Sequence, residues 1–215
     1  MSNNQPFEML LGTRNRGKVR EIHELLADLN LRLHSLDDFP DVPEVEETGA
    51  TYEANSSLKA LTYAGLTKLP TLGDDSGLEV DALGGAPGPF SARFGGNMSS
   101  DKDRIAKLLL ALNQAKPATR SARFICCLTL AGWDRDSKPN NEAPSLIKVV
   151  RGELEGQIIA NPRGDNGFGY DPVFVPNGFD RSLGELPIDI KNRISHRANA
   201  LDQMKAFLSG WIRQT

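Results

Sequence analysis

The feature of this sequence that most constrains its fold is a short apolar run that passes directly into a glycine-bounded basic loop and then into a helical pattern. The apolar run extends from Phe7 to Leu11, and the loop from Gly12 to Lys18 follows without a break. Apolar residues then recur at the spacing of one helix face, at Val19, Ile22, Leu25, Leu26 and Leu29. The sequence therefore predicts a strand, a polar loop and a helix, as an α/β fold contains.

The rest of the chain alternates predicted strands and helices, with no internal repeat. Further strands are predicted at Leu31 to Leu36, Leu78 to Val80, Ala122 to Ala131 and Ser145 to Ile159. Further helices are predicted from Thr51 to about Leu66, from Ser100 onward, and from about Asp189 to Ile212. The polar stretch from Trp133 to Pro144 resembles a long hairpin loop, and strands joined by a hairpin are antiparallel. The sheet is therefore predicted to be mixed.

Composition excludes several classes of protein. With 215 residues, 39% of them hydrophobic, the chain is long enough for one compact domain with its own core. A net charge of −3 argues against binding nucleic acid, which requires a basic surface. No apolar stretch approaches the roughly 20 residues of a membrane span, so we expect no membrane partner and a cytoplasmic protein. The adjacent Cys126 and Cys127 lie in an apolar run, which predicts buried thiols.

The loop from Gly12 to Lys18 is a candidate phosphate site. A helix N-terminus offers unpaired N–H groups to an anion, and Arg14, Arg16 and Lys18 add positive charge there. The loop fits the first seven positions of the P-loop pattern, but Val19 stands where that pattern needs a hydroxyl for Mg²⁺. A P-loop NTPase is therefore disfavoured. The alternative is an ordinary strand–helix connection with solvated basic residues.

Carboxylates are concentrated in two segments that the sequence predicts to be polar turns. One is Glu46-Glu47-Thr48-Gly49, and the other is Asp74-Asp75-Ser76-Gly77. Hard cations such as Mg²⁺ bind a few such oxygens together with water and substrate phosphate. Lys59 shares a helix face with Asn55 and could direct its ammonium group toward a phosphate. Each segment alone could equally be a solvated turn, and Lys59 a solvated surface residue.

Two later segments could bind a flat ring. The glycine-rich loop from Gly164 to Pro172 carries Phe168 and Tyr170, and an aromatic side chain can stack on a base. Lys191 and the His196-Arg197 pair are spaced roughly as on one helix face. No Ser/His/Asp order, cysteine nucleophile or histidine-rich metal spacing stands out. The chemistry that remains is electrostatic, with cations, a metal and water acting around a phosphate.

Seven motifs occur in an order that closely resembles the non-canonical purine NTP pyrophosphatase family, the inosine triphosphate pyrophosphatases, in its bacterial form. The matches extend from about Leu10 to Ala200, nearly the whole chain. The motifs are Thr13-x-Asn15-x-x-Lys18, Glu46-Glu47-Thr48-Gly49, Asn55-x-x-x-Lys59-Ala60, Asp74-Asp75-Ser76-Gly77-Leu78, Gly84-Gly85-x-Pro87-Gly88-x-x-Ser91-Ala92-Arg93, Phe168-Gly169-Tyr170-Asp171-Pro172 and Ser195-His196-Arg197.

The resemblance implies a fold and an activity. The implied fold is a single elongated α/β domain with two lobes around a long mixed sheet flanked by helices, with the nucleotide in the cleft between the lobes. The implied activity is Mg²⁺-dependent hydrolysis of ITP, dITP and XTP to the monophosphate and pyrophosphate. A homodimer is also implied. The stretch from Trp133 to Pro144 departs from the family pattern, because it is longer and more polar than the usual turn.

The resemblance also implies roles for individual residues. Glu47 and Asp75 would bind Mg²⁺, Asp75 would accept a proton from the attacking water, and Asp74 would help to orient them. The triphosphate would be bound by Thr13, Arg14, Asn15, Arg16, Gly17, Lys18 and Lys59, with Lys18 and Lys59 also catalytic. The nucleoside would be bound by Phe168, which stacks on the purine, and by Ser76, Gly169, Tyr170, Asp171, Lys191, His196 and Arg197.

Two other functions remain open from the sequence. A related pyrophosphatase that removes modified pyrimidine nucleotides would share the fold and metal chemistry, but not Ser195-His196-Arg197. A nucleotide-binding sensor without catalysis is the second alternative. Retention of Glu47, Asp75 and Lys18 together argues against a sensor, because binding alone does not require a base beside a metal.

Overall fold

The computed structural model of the chain describes residues 5–96, 100–116, 118–133 and 142–212. The chain divides into two compact units. The first unit consists of Met1–Asp75, Cys127–Arg151 and Ala200–Thr215, and the second consists of Ser76–Cys126 and Gly152–Asn199. The predicted loop from Trp133 to Pro144 falls largely outside the described residues.

The described residues form a six-stranded sheet. Its strands are β1 (Phe7–Gly12), β2 (Leu31–His34), β3 (Thr71–Val80), β4 (Ser121–Gly132), β5 (Ser145–Ile158) and β6 (Phe174–Pro176). Their order in the sheet is β2-β1-β3-β4-β5-β6. β1 is parallel to both β2 and β3, whereas β5 and β6 are antiparallel. The predicted α/β fold with a mixed sheet is confirmed.

Short polar side chains cap the first three described helices. The described helices are α1 (Arg16–Leu25), α2 (Tyr52–Thr67), α3 (Asp101–Ala115), α4 (Ile188–Ile194) and α5 (His196–Trp211). Asn15, Thr51 and Ser100 precede the first three and accept hydrogen bonds from backbone N–H groups of the first turn. Ser100 and Asp103 form a reciprocal capping box, so the predicted helix start at Ser100 is confirmed.

The prediction of one continuous helix from Asp189 to Ile212 is wrong. α4 ends at Ile194, and Ser195 is extended, with φ −65° and ψ 154°. The Ser195 hydroxyl accepts a hydrogen bond from the Ala198 N–H at 3.0 Å, so it caps the start of α5. Lys191 and Arg197 therefore belong to two helices rather than to one helix face.

The prediction of a turn at Asp74-Asp75-Ser76-Gly77 is also wrong, because β3 runs through these residues without interruption. The glycines on either side allow the strand to approach its neighbours closely. A Cβ atom on Gly73 would lie less than 3.0 Å from the Ser56 carbonyl oxygen, and one on Gly77 would crowd Gly88 in the same way. These glycines serve packing here rather than a change of chain direction.

Each unit contains its own apolar clusters. In the first unit, Leu10, Leu36 and Tyr63 form one cluster, and Ala60, Ala64, Ala131 and Trp133 form another. In the second unit, residues of β3, α3, β4 and β6 belong to one cluster, which includes Leu78, Leu108, Phe124 and Phe174. Cys126 and Cys127 are buried thiols, as predicted. Across the described ranges, no helix has both the length and the hydropathy that crossing a bilayer requires.

Candidate active site

Two short side chains of the loop between β1 and α1 accept hydrogen bonds from the backbone that follows them. The Thr13 hydroxyl accepts a hydrogen bond from the Asn15 N–H at 3.2 Å. Asn15 Oδ1 in turn accepts from the N–H groups of Gly17 and Lys18, at 2.9 and 3.2 Å. The N–H groups that the sequence suggested for a phosphate are thus bonded to the Asn15 side chain. The structure makes Asn15 the N-cap of α1, and its contact with phosphate stays a prediction.

Arg14 contacts the segment that leads to Glu47. Its guanidinium group donates to the carbonyl oxygens of Leu36 and Val42, at 3.3 and 2.8 Å. Arg16 is exposed at the first position of α1. The structure therefore assigns Arg14 a role in holding this segment, and the predicted triphosphate contacts of Arg14 and Arg16 stay predictions.

Three carboxylates and two lysines in the first unit form the first cluster of the candidate site. Asp74 is fully buried and pairs with Lys18. Lys59 Nζ lies 2.5 Å from Glu47 Oε1 and 3.8 Å from Asp75 Oδ1. Glu47 and Asp75, the two predicted metal ligands, therefore border the same ammonium group. Asp74 pairs with Lys18 in the structure, and its expected role in orienting Glu47 and Asp75 stays a prediction.

The electrostatics of Asp75 favour a nearby cation. Burial raises the pKa of Asp75, and although Lys59 and Lys18 lower it, the net direction is upward. The carboxylate therefore has less compensation than an exposed aspartate has in water. Among the described residues, no group of three or more His, Cys, Asp or Glu side chains is suited to hold a metal ion. The pair of Glu47 and Asp75 still fits Mg²⁺, which commonly takes one or two carboxylates plus water and phosphate oxygens.

Asn55 links Asp75 to the segment that carries Glu47. Its Oδ1 accepts a hydrogen bond from the Gly49 N–H at 2.7 Å, and its Nδ2 donates to Asp75 Oδ2 at 3.0 Å. The approach is close, since a Cβ atom on Gly49 would lie 2.6 Å from Asn55 Oδ1. On the other side of Glu47, the Tyr63 hydroxyl accepts from the Val45 N–H at 3.0 Å. The sequence placed Asn55 on the face of Lys59 but gave no sign of this bridge.

A second cluster, in the second unit, surrounds the Phe168 ring. Buried Asp171 accepts hydrogen bonds through Oδ2 from the Phe168 N–H at 2.8 Å and from Lys191 Nζ at 2.6 Å. Lys191 Nζ lies 4.8 Å from the centroid of the Phe168 ring, and Arg197 Cζ lies 5.8 Å from it. Arg197 also donates to the Ser76 hydroxyl at 2.8 Å. Five residues predicted to bind the nucleoside are thus brought together.

The remaining predicted nucleoside residues differ in their surroundings. His196 is buried and stacks on Phe124, with ring centroids 4.7 Å apart and planes 12° apart. The Tyr170 hydroxyl donates to the Ser91 carbonyl oxygen at 2.9 Å, and its ring belongs to the apolar cluster of the second unit. Burial raises the pKa of Tyr170, which favours the protonated, donating form of the hydroxyl. Tyr170 is a core residue here, and its contact with substrate stays a prediction.

Comparison with known proteins identifies the family. A profile of the Ham1 family matches residues 9–207. The chain belongs to the Ham1 family. It is 43% identical over 205 residues to a dITP/XTP pyrophosphatase of Bacillus anthracis. This alignment covers 95% of this chain and 98% of the relative. It is 45% identical over 203 residues to a dITP/XTP pyrophosphatase of Geobacter sulfurreducens, covering 94% and 96% of the two chains.

A solved Ham1 structure has the same fold. The HAM1 protein of Coxiella burnetii matches with a TM-score of 0.82 and 42% sequence identity, covering 95% of this chain and 99% of that one. The predicted family and fold are thus confirmed. The residues of both clusters lie inside the range that the Ham1 profile matches.

Proposed function

We propose that this Ham1 protein hydrolyses ITP, dITP and XTP to the nucleoside monophosphate and pyrophosphate, with Mg²⁺ as the metal. The activity is supported by relatives, 43–45% identical over nearly the whole chain, that are named dITP/XTP pyrophosphatases. The observation that carries the chemistry is the placement of Lys59 Nζ beside two carboxylates, 2.5 Å from Glu47 and 3.8 Å from Asp75.

The first cluster acts on the triphosphate. Lys18 and Lys59 supply positive charge, which stabilises the charge that develops on phosphate oxygens most strongly where water is excluded. Lys59 is 6% exposed, so its ammonium group is largely removed from water. A Mg²⁺ ion held by Glu47 and Asp75 would neutralise further phosphate charge. Arg14, Asn55 and Tyr63 keep the Glu47 segment in place.

Asp75 accepts the proton of the attacking water. In the metal-free protein, burial raises the pKa of its carboxyl group, so the carboxylate is there a stronger base than an exposed aspartate. As the water oxygen bonds to phosphorus, its proton passes to Asp75, the anhydride bond between the α and β phosphates breaks, and pyrophosphate leaves. The Asn55 amide donates to Asp75 Oδ2 and fixes the direction of the carboxylate.

The second cluster selects the base. Hypoxanthine and xanthine carry a carbonyl acceptor at the position where adenine carries an amino donor. The Arg197 guanidinium group has donors and no acceptor. It can therefore donate a hydrogen bond to the carbonyl oxygen but cannot pair with the amino group. The Ser76 hydroxyl and the Phe168 ring lie against this guanidinium group, and Arg197 as a residue is buried. Guanine has the same carbonyl, so its rejection requires crowding or an unpaired donor at its 2-amino group.

The family resemblance further supports a homodimer that acts in the cytosol. Light scattering on the purified protein measures its molar mass and hence its oligomeric state. A molar mass near 23.5 kDa, that of one chain, would contradict the dimer.

Pyrophosphate release across a nucleotide panel tests the function. ITP, dITP, XTP, GTP, ATP and a methylated pyrimidine triphosphate are compared with Mg²⁺ and with a chelator, and the nucleotide product is identified by chromatography. We expect rapid Mg²⁺-dependent release from ITP, dITP and XTP and slow release from GTP and ATP. Preference for the methylated pyrimidine would favour the related pyrophosphatase. Tight binding of ITP without release would favour the sensor.

A further inference from the structure

The first turn of α3 is bonded to the loop that carries Phe168. Asp101 Oδ2 accepts a hydrogen bond from the Gly169 N–H at 2.7 Å. The other oxygen of the same carboxylate pairs with Arg104, which also donates to the Ala92 carbonyl oxygen at 3.2 Å. The Asp101 carboxylate is thus oriented by Arg104 of its own helix. Its other oxygen binds the loop at Gly169, 68 residues away in the sequence.

This bond completes the restraint on Phe168. The Phe168 N–H is bonded to Asp171, which fixes the peptide group before the residue. The Gly169 N–H is bonded to Asp101, which fixes the peptide group after it. Because the two peptide groups set φ and ψ of Phe168, they also set the direction in which its side chain leaves the backbone.

The loop needs such restraint, since its backbone is otherwise permissive. Gly167 and Gly169 have φ of +78° and +63°, in the left-handed region that glycine enters readily. Glycine also loses the most conformational freedom when it becomes ordered. Without the carboxylates on both sides, the loop would have to be ordered by the ligand itself, which lowers affinity.

We propose that Asp101 is a positioning residue that holds the Phe168 ring ready to stack on the purine. This rests on the proposed function, in which Phe168 contacts the base. Asp101 does not itself react, so its loss should weaken nucleotide binding while the catalytic step is kept. A hydrogen bond to a charged acceptor corresponds to about a tenfold change in dissociation constant.

A purely structural role makes a different prediction. Asp101 and Asp103 are both acidic residues in the first turn of α3, where negative charge stabilises a helix. Asp103 accepts from the Ser100 N–H at 2.9 Å rather than from the loop. Asp103→Asn is therefore a matched control, because it removes the same charge from the same turn.

The test compares Asp101→Ala, Asp101→Asn and Asp103→Asn with the wild type. Binding of inosine monophosphate is measured by calorimetry, and KM and kcat are measured with ITP. We expect Asp101→Ala to raise the dissociation constant and KM about tenfold, with kcat changed less than about twofold. Asp101→Asn should recover most of the affinity, because its amide oxygen still accepts the Gly169 N–H. Equal affinities for Asp101→Ala and Asp103→Asn would overturn the inference.

Hydrogen exchange separates this inference from the proposed function. In the nucleotide-free protein, peptides covering residues 166–172 should exchange faster in Asp101→Ala than in the wild type or Asp103→Asn. Unchanged exchange in Asp101→Ala would refute the restraint, whatever the enzyme hydrolyses. Faster exchange in a protein that releases no pyrophosphate from ITP would support the restraint while rejecting the proposed function.

Discussion

Replacing Lys191 with methionine is expected to destabilise the protein by about 3 kcal/mol, because it leaves the Asp171 carboxylate buried without the ammonium group. Lys191 and Asp171 are 2% and 3% exposed, and their charged atoms lie 2.6 Å apart. Breaking such a pair typically costs about 3–5 kcal/mol. Because the hydrogen bond from the Phe168 N–H to Asp171 is kept, we expect a cost at the lower end of this range. For a chain of this size, the melting temperature should fall by about 6–12 °C.

A double variant tests whether the loss comes from the unpaired charge. Asp171→Asn alone leaves a buried ammonium group, whereas Asp171→Asn combined with Lys191→Met leaves neither charge. The double variant should therefore be less destabilised than the sum of the two single variants, by roughly 1.5–3 kcal/mol. Urea unfolding followed by circular dichroism, without metal or nucleotide, measures all four proteins.

The exposed pair of Arg193 and Asp189 on α4 provides the control. Its side chains are each 67% exposed, so Arg193→Met should cause no measurable change. If the two single effects at Asp171 and Lys191 add within about 0.5 kcal/mol in the double variant, the two charges do not stabilise each other.

Three other variants test the site and the fold. Asp75→Asn should reduce kcat at least about a hundredfold, and a rate above about a tenth of wild type would exclude Asp75 as the base. Because the folded-state pKa of Asp75 is raised, the stability that this group contributes is lost as the pH rises above its ordinary pKa of 3.8. Urea unfolding of the metal-free protein should therefore show that Asp75→Asn becomes more stable relative to wild type as the pH rises above 3.8. Arg197→Ala should lose most of the preference for ITP over ATP in a competition assay, mainly through a lower kcat/KM for ITP, and an unchanged ratio would show that another group reads the base. Gly73→Ala should destabilise the protein by about 1–3 kcal/mol, because its Cβ would crowd the Ser56 carbonyl oxygen. Gly210→Ala is its control, since it has open space within a helix and should be neutral or stabilising; equal thermal shifts in the two variants would contradict the packing argument.

Local pattern was enough to predict the elements whose residues carry their own signals. The strand before Gly12, the helix after Asn15 and the capped start of α3 follow from apolar spacing and side-chain caps within a few residues. The candidate ligands Glu47 and Asp75 were found because each belongs to a short motif that the family resemblance interprets. The structure then brings both side chains to Lys59.

The prediction failed where distant residues decide the local structure. Asp74-Asp75-Ser76-Gly77 has the composition of a turn, yet it is part of β3, which has β1 and β4 as its neighbours in the sheet. At Ser195 the helical pattern continues, but the serine side chain offers the backbone another hydrogen bond and the helix breaks. Apolar periodicity contains neither piece of information.

The residues that position the site were the hardest to predict, and the reason is physical. A residue that brings charge to a substrate must have an ionisable side chain, whereas a positioning residue needs only one donor or acceptor in the right place. Arg14 reaches Val42, 28 residues away, Asn55 reaches Asp75 across 20, and Asp101 reaches Gly169 across 68. Each bond ends on a backbone group or on a carboxylate that many residue types could contact. Such bonds leave no periodic trace in the sequence, so the candidate site residues could be proposed from their motifs, whereas the bonds that position them could not.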